Sequence, residues 1–365
     1  MINLSFFPSR PIAFYMARLF VVRSLAVLAM LVVVLMTLDL LGNSGEILAV
    51  AGNGDAELWR YVGLRLPQLV NRFLPFSVLL GALITLVTLN QNSEIVSMKA
   101  AGISAHQIIA PLILAASLFA LVHFLFNERI VTRANAALDA WEAADWGPVP
   151  PGSGVQNNVS LAHGDDLIFV RQVSGRGDGV RLAGIAIYER AGGTLRRITR
   201  AETGRRTGDG WALTGVTLFD LDSGQQAQAP TLTFGPDITP DQFTLARVDP
   251  DEQDFMTLRR SIAELKAADR PVDSLQANLW RKIAAPMSSI LMPLLGAIAA
   301  FGLARSGQVF ARAVLGMALG FAYFVADNFA LAMGNFGAYP PFLAAWGPFL
   351  LFALVGEAVL IRTEE

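Results

Sequence analysis

Residues 24–38 read SLAVLAMLVVVLMTL, a charge-free run closed by Arg23 on one side and Asp39 on the other. A run this long and this apolar is no strand. With its flanking side chains reaching back to the interface, it predicts a helix over about 19–41, enough to cross a bilayer core of roughly 30 Å. The composition agrees. The chain has 365 residues, 53% hydrophobic and 16% charged, with a mean hydropathy of +0.47. An average soluble domain carries about 25% charge, so lipid is the solvent for much of this chain. The net charge of −2 gives no argument for nucleic acid. The absence of cysteine excludes zinc–thiolate sites, disulfides and a thiol nucleophile, and suits a chain facing an oxidising compartment. The beginning, MINLSFFPSRPIAFYMARLF, lacks a small-residue cleavage site after a short apolar core, so it reads as retained.

Working outward from the first window, FLPFSVLLGALITLVTLNQNS fills the interval between Arg72 and Glu94. No formal charge falls between Ala100 and Asn127, which places a third span near 107–127. The run IAAPMSSILMPLLGAIAAFGLA gives a fourth at 283–304, and two more follow at about 312–333 and 341–361, each enclosing one acid. The expectation is an α-helical membrane protein with six spans, three before residue 128 and three after 276.

The middle follows another period. Between 128 and 276 the runs DLIFVRQV, VRLAGIAIYER, WALTGVTLFD and PTLTF alternate as strands do, and GRGDG, AGG and TGDG punctuate them. Short strands with frequent turns predict an all-β sandwich or jelly roll, with helical connectors at 133–147 and 257–269. The domains are therefore 1–127, including a short helix at about 91–104; the β domain, 128–276; and 277–365. Lys and Arg in short loops set orientation. Both termini inside the cell puts Arg10, Arg18, Lys99, Arg305 and Arg362 there. It leaves GNFGAYPP (334–341) with no basic residue, and 42–64 with Arg60 against three acids. Arg281 and Lys282, at the far end of the fourth span, run against this count. The β domain is then periplasmic.

The stretch QNSEIVSMKAAGIS (91–104) is too structured for a plain loop. Asn92 or Ser93 can cap a helix, Glu94 sits in its first turn, and Gly102 can close it in the left-handed conformation. Ile95 and Met98 would share an apolar face with Lys99 beside them. One reading is a helix lying flat among lipid headgroups; the other is a peg that a cytoplasmic ATPase grips. The chain itself offers no ATPase. GLARSGQ (302–308) resembles a phosphate loop, but Gln308 stands where the lysine belongs, and a membrane helix rather than a buried strand precedes it. HExxH, GxSxG and dinucleotide fingerprints do not occur, and the three histidines, His106, His123 and His163, are scattered. The expectation is a non-enzyme without a cofactor of its own, driven by ATP hydrolysis in a separate subunit.

Together, SEIVSMKAAGIS, the preceding LPFSVLLGALITLVTLNQNSE, NLWRKIAAPMSSILMPLLG and DNFALAMGNFGAYPPFLAAWGP resemble the LptF/LptG permease family, the LptG branch more than the LptF branch. These are membrane subunits of the lipopolysaccharide-export ABC transporter of the Gram-negative inner membrane. The resemblance implies an LptF-like partner chain around a pseudo-two-fold axis and two copies of an LptB-like ATPase that bind ATP and Mg2+. It also implies an LptC-like anchored β protein that receives lipopolysaccharide for a periplasmic jellyroll bridge. On that reading Glu94 pairs with a basic group of the ATPase. Ile95, Met98 and Ala101 pack into its groove beside Lys99, and Gly102 ends the peg.

Lipopolysaccharide carries several acyl chains and phosphates, so its cavity should be apolar with a basic rim. Candidate wall residues are Leu28, Leu31, Val34 and Leu35 on the first span, and Phe310, Val314, Met317, Phe321 and Phe324 on the fifth. Arg65 and Arg72, seven apart with Gln68 between, and Arg129 and Arg133, four apart, are candidate phosphate ligands, since guanidinium binds phosphate bidentately. The plainer alternative is that the apolar residues face lipid and the arginines anchor to headgroups. Some family members carry a basic residue near the outer end of the first span, where this chain has only Asp39. Asp327 lies 15 residues past Arg312, about 22 Å along a helix, so it should sit near the outer boundary. An intramembrane carboxylate is a functional candidate, but Asn328 and a hydrated cavity could satisfy it in a structural hydrogen-bonding role. Glu357 should snorkel to the interface. Other readings are the paralogous LptF subunit, a proton-coupled secondary transporter titrating Asp327, which would need midplane carboxylates and an internal repeat, and an anchoring protein, which leaves the short helix unexplained.

Overall fold

The computed structural model describes residues 8–149, 156–175, 179–191, 194–208, 210–221, 223–240, 243, 248–267, 270–298, 300 and 309–362. The chain divides into two compact units, Met1–Ala136 with Pro250–Glu365, and Ala137–Asp249.

In the first unit, α1 (Arg10–Ala49) and α2 (Asp55–Gln91) form a long antiparallel hairpin. At 40 residues, α1 far outruns the 19–41 window. Charges mark where the apolar run stops, not where hydrogen bonding does, and its only proline, Pro11, lies in the first turn, where proline is tolerated. The Glu57 carboxylate accepts from the Gly54 N–H at 2.8 Å and so closes the start of α2. Gly81 brings the hairpin together: a Cβ there would lie 2.1 Å from Ser24 Oγ, so any larger residue would push α1 away. After α3 (Glu94–Ala100) come α4 (Ala105–Phe126), a π-helical turn (Asn127–Val131) and α5 (Thr132–Glu142). The chain returns through α6 (Phe255–Ala267), α7 (Asp273–Ala297), α8 (Val309–Asn335) and α9 (Pro341–Arg362). Helix α7 is the centre: Leu291 to Ala297 are buried without interruption, and α2, α4, α8 and α9 all pack on it.

Among the described residues, five helices are long and apolar enough to cross a membrane: Arg10–Ala49, Asp55–Gln91, Ala105–Glu142, Val314–Asn335 and Pro341–Arg362. The expected span at 283–304 falls on α7, and residues 299 and 301–308, including the GLARSGQ stretch, lie outside the described residues.

The second unit holds one antiparallel sheet of six strands in sequential order: β1 (Gln156–His163), β2 (Asp166–Ser174), β3 (Arg181–Ala191), β4 (Thr194–Thr207), β5 (Gly210–Asp220) and β6 (Gln226–Phe234). The described strands form a meander, not the two sheets and crossing connections of a jelly roll; the turns are too short for crossovers. Pro230 sits in β6, an edge strand, where a missing N–H is harmless. The ladder lapses along one line through residues 158, 171, 184, 202, 215 and 230, none of which pairs across. Gly184 and Gly215 lie on that line with φ of +65° each, backbone that L side chains rarely adopt. The buried alternation shifts by one residue there. On β2, Ile168 and Val170 are buried, then Val173; on β5, Val216 and then Leu213 and Trp211. One creased sheet thus keeps a single apolar core on one face, closed by Phe243 against Trp211, whose indole N–H donates to the Ile238 carbonyl at 2.9 Å.

Candidate functional site

In the α2–α4 connection the expected stop at Gly102 forms, while the expected side-chain cap at Ser93 does not. Ser93, ahead of α3, takes the left-handed conformation at φ +59° with no side-chain cap. At the other end the Gly102 N–H donates to the Lys99 carbonyl at 2.9 Å and the Ile103 N–H to the Met98 carbonyl at 3.1 Å, with Gly102 at φ +81°. Ser104 then caps α4, its hydroxyl accepting from the Gln107 N–H while the Gln107 side chain accepts from the Ser104 N–H.

Ile95 and Met98 do share a face, but it points inward: both are buried in the helical unit's own core. This corrects the expectation that they enter a partner's groove. They pin α3 down, and Val96, 60% exposed, stands outward with Ser97, Lys99, Ala100, Ala101 and Gly102. Glu94 is half-buried and accepts from the Tyr15 hydroxyl at 3.5 Å and the Asn92 amide at 3.3 Å, which ties α3 to the start of α1.

The opposite end of the α1–α2 hairpin is polar. Arg65 grips Asp39 with two nitrogens, Nε at 3.1 Å and one terminal nitrogen at 3.0 Å, and also contacts Gln68. The Tyr61 hydroxyl donates to the same carboxylate at 2.6 Å, and the Asn43 amide donates to Tyr61 at 3.0 Å. Arg65 is therefore committed to Asp39, whereas Arg72, Arg129 and Arg133 are exposed with no ion-pair partner among the described residues. Sequence reading noticed Asp39 and Arg65 separately. The signal that joins them is hairpin register: Arg23 reaches the Ile84 carbonyl at 2.9 Å, and the same antiparallel alignment brings Asp39 to Arg65.

The acids within spans also find partners. Asp327 meets Arg281 at 3.2 Å, while Asn328 accepts from the same guanidinium at 3.5 Å and donates to the Phe324 carbonyl at 2.8 Å. Glu128, on the π turn, faces Lys282 at 3.9 Å and accepts from the Phe255 N–H at 2.6 Å, while the Asn135 amide donates to the Asp251 carbonyl at 3.2 Å. These contacts join the chain leaving the helical unit to the chain returning. Asp254 caps α6 by accepting from the Thr257 N–H at 2.7 Å, a bond that holds its carboxyl below the usual carboxylate value. At the α3 end, Glu357 meets His106 at 2.8 Å.

Of the expected cavity wall, Leu28, Leu31 and Leu35 are half-buried on α1. Phe324 packs against Phe76 with ring centres 6.1 Å apart, while Met317 and Phe321 stand exposed on α8. The side chain of Phe310 lies outside the described residues. Leu28 and Phe324 pack on the helical unit's own core, and of these positions with described side chains only Met317 and Phe321 stand open, so by themselves they enclose nothing.

Residues 14–362 match the family described as lipopolysaccharide export system permease LptF/LptG. The chain is similar to the lipopolysaccharide export system permease protein LptG of Escherichia coli (strain K12), 28% identical over 311 residues that cover 83% of this chain and 84% of that protein. It is similar also to the LptG protein of Haemophilus influenzae (strain ATCC 51907 / DSM 11121 / KW20 / Rd), 28% identical over 325 residues, 86% of this chain and 89% of that one. With its membrane-length helices, its sheet inserted between them and a match along nearly its whole length, the chain belongs to the LptF/LptG family of lipopolysaccharide export permeases.

Proposed function

We propose that this chain is the LptG-type permease subunit of a lipopolysaccharide-export ABC transporter in the inner membrane. It extracts the lipid from the outer leaflet and passes it to a periplasmic bridge. It crosses the membrane six times, with both termini and α3 in the cytoplasm and the sheet in the periplasm. The observation that carries the reading is α3, a stopped and capped helix pinned from within by Ile95 and Met98 that holds Val96 and Lys99 outward. Such a peg, beside Glu94, suits an ATPase groove, because a rigid body transmits displacement that a loose loop would absorb. Two LptB-like subunits would supply ATP and Mg2+ chemistry, and an LptF-like chain would close the open faces of α1 and α8 into a cavity.

Arg72, Arg129 and Arg133 are the phosphate ligands on this reading, while Asp39 holds Arg65 in place. The creased sheet would form one half-open roll of the bridge that begins with an LptC-like protein. Mild-detergent purification of the tagged chain, with mass spectrometry of what accompanies it, tests the assembly. A phosphate-loop ATPase and a second permease chain are the expected companions. Val96→Glu and Glu94→Ala should each lose most of the ATPase while keeping the second permease. Full recovery of the ATPase and normal export in both variants would remove α3 from the coupling role.

A further inference from the structure

A groove of about 1040 Å³ runs between the first turns of α1 and the middle of α4. This is the upper end of the roughly 300–1,000 Å³ usual for small-molecule sites. One wall extends from Arg10 to Val21 and the other from Pro111 to Leu121. At 1.5 Å per residue each wall is about 15 Å long, half of a bilayer core of roughly 30 Å. A membrane-spanning partner helix needs the full thickness; a lipid occupies one leaflet. Ala17 and Ala115 give the groove its depth, and Phe14 and Leu118 give it exposed apolar sides. Its few polar groups are distinctive. The Ser117 hydroxyl is turned into its own helix, donating to the Ile113 carbonyl at 2.9 Å. That leaves Arg10 and Arg18, both exposed, neither with an acidic partner among the described residues.

We propose that this groove binds an anionic phospholipid of the leaflet at which α1 begins, with acyl chains between α1 and α4 and the phosphate on Arg10 and Arg18. Guanidinium binds phosphate bidentately, and the long stems let both arginines reach one headgroup from the helix surface. The unbalanced pair of cations favours a net-negative head over a zwitterionic one, whose ammonium would face them. The site is separate from the substrate faces proposed above, since Leu28, Leu31 and Leu35 lie farther along α1, beyond the end of the groove. Only the leaflet's identity, cytoplasmic, rests on the permease reading.

The test purifies the full chain with its natural companions from membranes of phosphatidylethanolamine and phosphatidylglycerol, and measures the lipid that survives washing. Phosphatidylglycerol should be enriched several-fold over the bulk membrane. Arg10→Gln with Arg18→Gln should return the ratio to that of the bulk. Ala115→Phe, which fills the floor and keeps both charges, should lower the retained phosphatidylglycerol several-fold even where the double variant inserts poorly. Retention at bulk composition, enrichment unchanged in both the double variant and Ala115→Phe, or lipopolysaccharide as the variant-sensitive lipid would each overturn the proposal. None of these readouts depends on export, so a failure of the permease reading would show separately, in the companions.

Discussion

Where α1 finishes and α2 begins, cations meet carboxylates: Arg65 on Asp39, and on neighbouring helices Arg281 on Asp327 and Lys282 on Glu128. Where α2 gives way to α4, the shape is held by Ile95 and Met98 in the core, by a left-handed glycine and by a capping box. The two ends solve different problems. At the first, long helices from both halves of the unit meet and the chain leaves for the sheet and returns, and directional bonds fix which helix faces which. At the second, a seven-residue helix has too few hydrogen bonds to stand alone. Burial on one side must supply its stability while the other side stays exposed.

Removing charge from the first end should have the larger effect. In Asp39→Ala, Arg65 and the Tyr61 hydroxyl lose their common acceptor. Breaking a fully buried pair costs about 3–5 kcal/mol; with Arg65 and Asp39 side chains 28% and 19% exposed, about 2–3 kcal/mol is expected. Thermal unfolding of the purified complex measures it, and Asp39→Asn combined with Arg65→Gln should recover most of the loss. An unchanged midpoint for Asp39→Ala would mean that apolar packing alone holds this end, and the contrast would fail.

At the second end the effect is smaller and local. Ile95→Ala removes buried methyl groups for about 2 kcal/mol, the low end for core truncation because α3 can settle inward. Hydrogen exchange at 94–100 should quicken with little change in global unfolding. A global loss equal to that of Asp39→Ala would make α3 part of the main core instead of a separately held peg.

The sequence told these ends apart unevenly, for physical reasons. Charge-free windows coincide with the five membrane-length helices among the described residues, because a bilayer excludes unpaired charge, but they misjudged the length of α1, since nothing in Arg18 or Arg23 ends a helix. The stop at Gly102 was legible because it acts locally. The cap expected of Asn92 or Ser93 does not form at Ser93, which takes the left-handed conformation without a side-chain bond, and the Ser104 box on α4 went unread. Which face of α3 turns inward was not legible, because an apolar pair at helical spacing fits its own core and a partner's groove equally well. Arg281 and Lys282, which ran against the orientation count, have acidic partners in Asp327 and Glu128, from α8 and from the π turn. A count of basic residues sees charge but not pairing. The strands were readable from alternation, but not the crease. Its line joins residues far apart in the sequence, and only Gly184 and Gly215 hint at it.

The smallest expected effect tests whether the polar end holds through charge or through hydrogen-bond geometry. Asp254 caps α6 beside the Phe255 N–H that Glu128 accepts, and its bond to the Thr257 N–H depresses its pKa. A carboxyl whose folded pKa is depressed contributes stability above its unfolded value, about 3.9, and loses it as pH falls through the folded value. Asp254→Ala should therefore cost about 1 kcal/mol at neutral pH, with the difference from wild type shrinking once the pH drops below that unfolded value. Asp254→Asn keeps an acceptor for the Thr257 N–H, so it should cost only a few tenths of a kcal/mol and lose this pH dependence. If Asn proved as costly as Ala at neutral pH, charge at the start of α6 would outweigh cap geometry, and even the exposed contacts of this end would be electrostatic. If both variants matched wild type, the ties at this end would reduce to its partly buried ion pairs, and the first comparison would rest on Asp39, Glu128 and Asp327 alone.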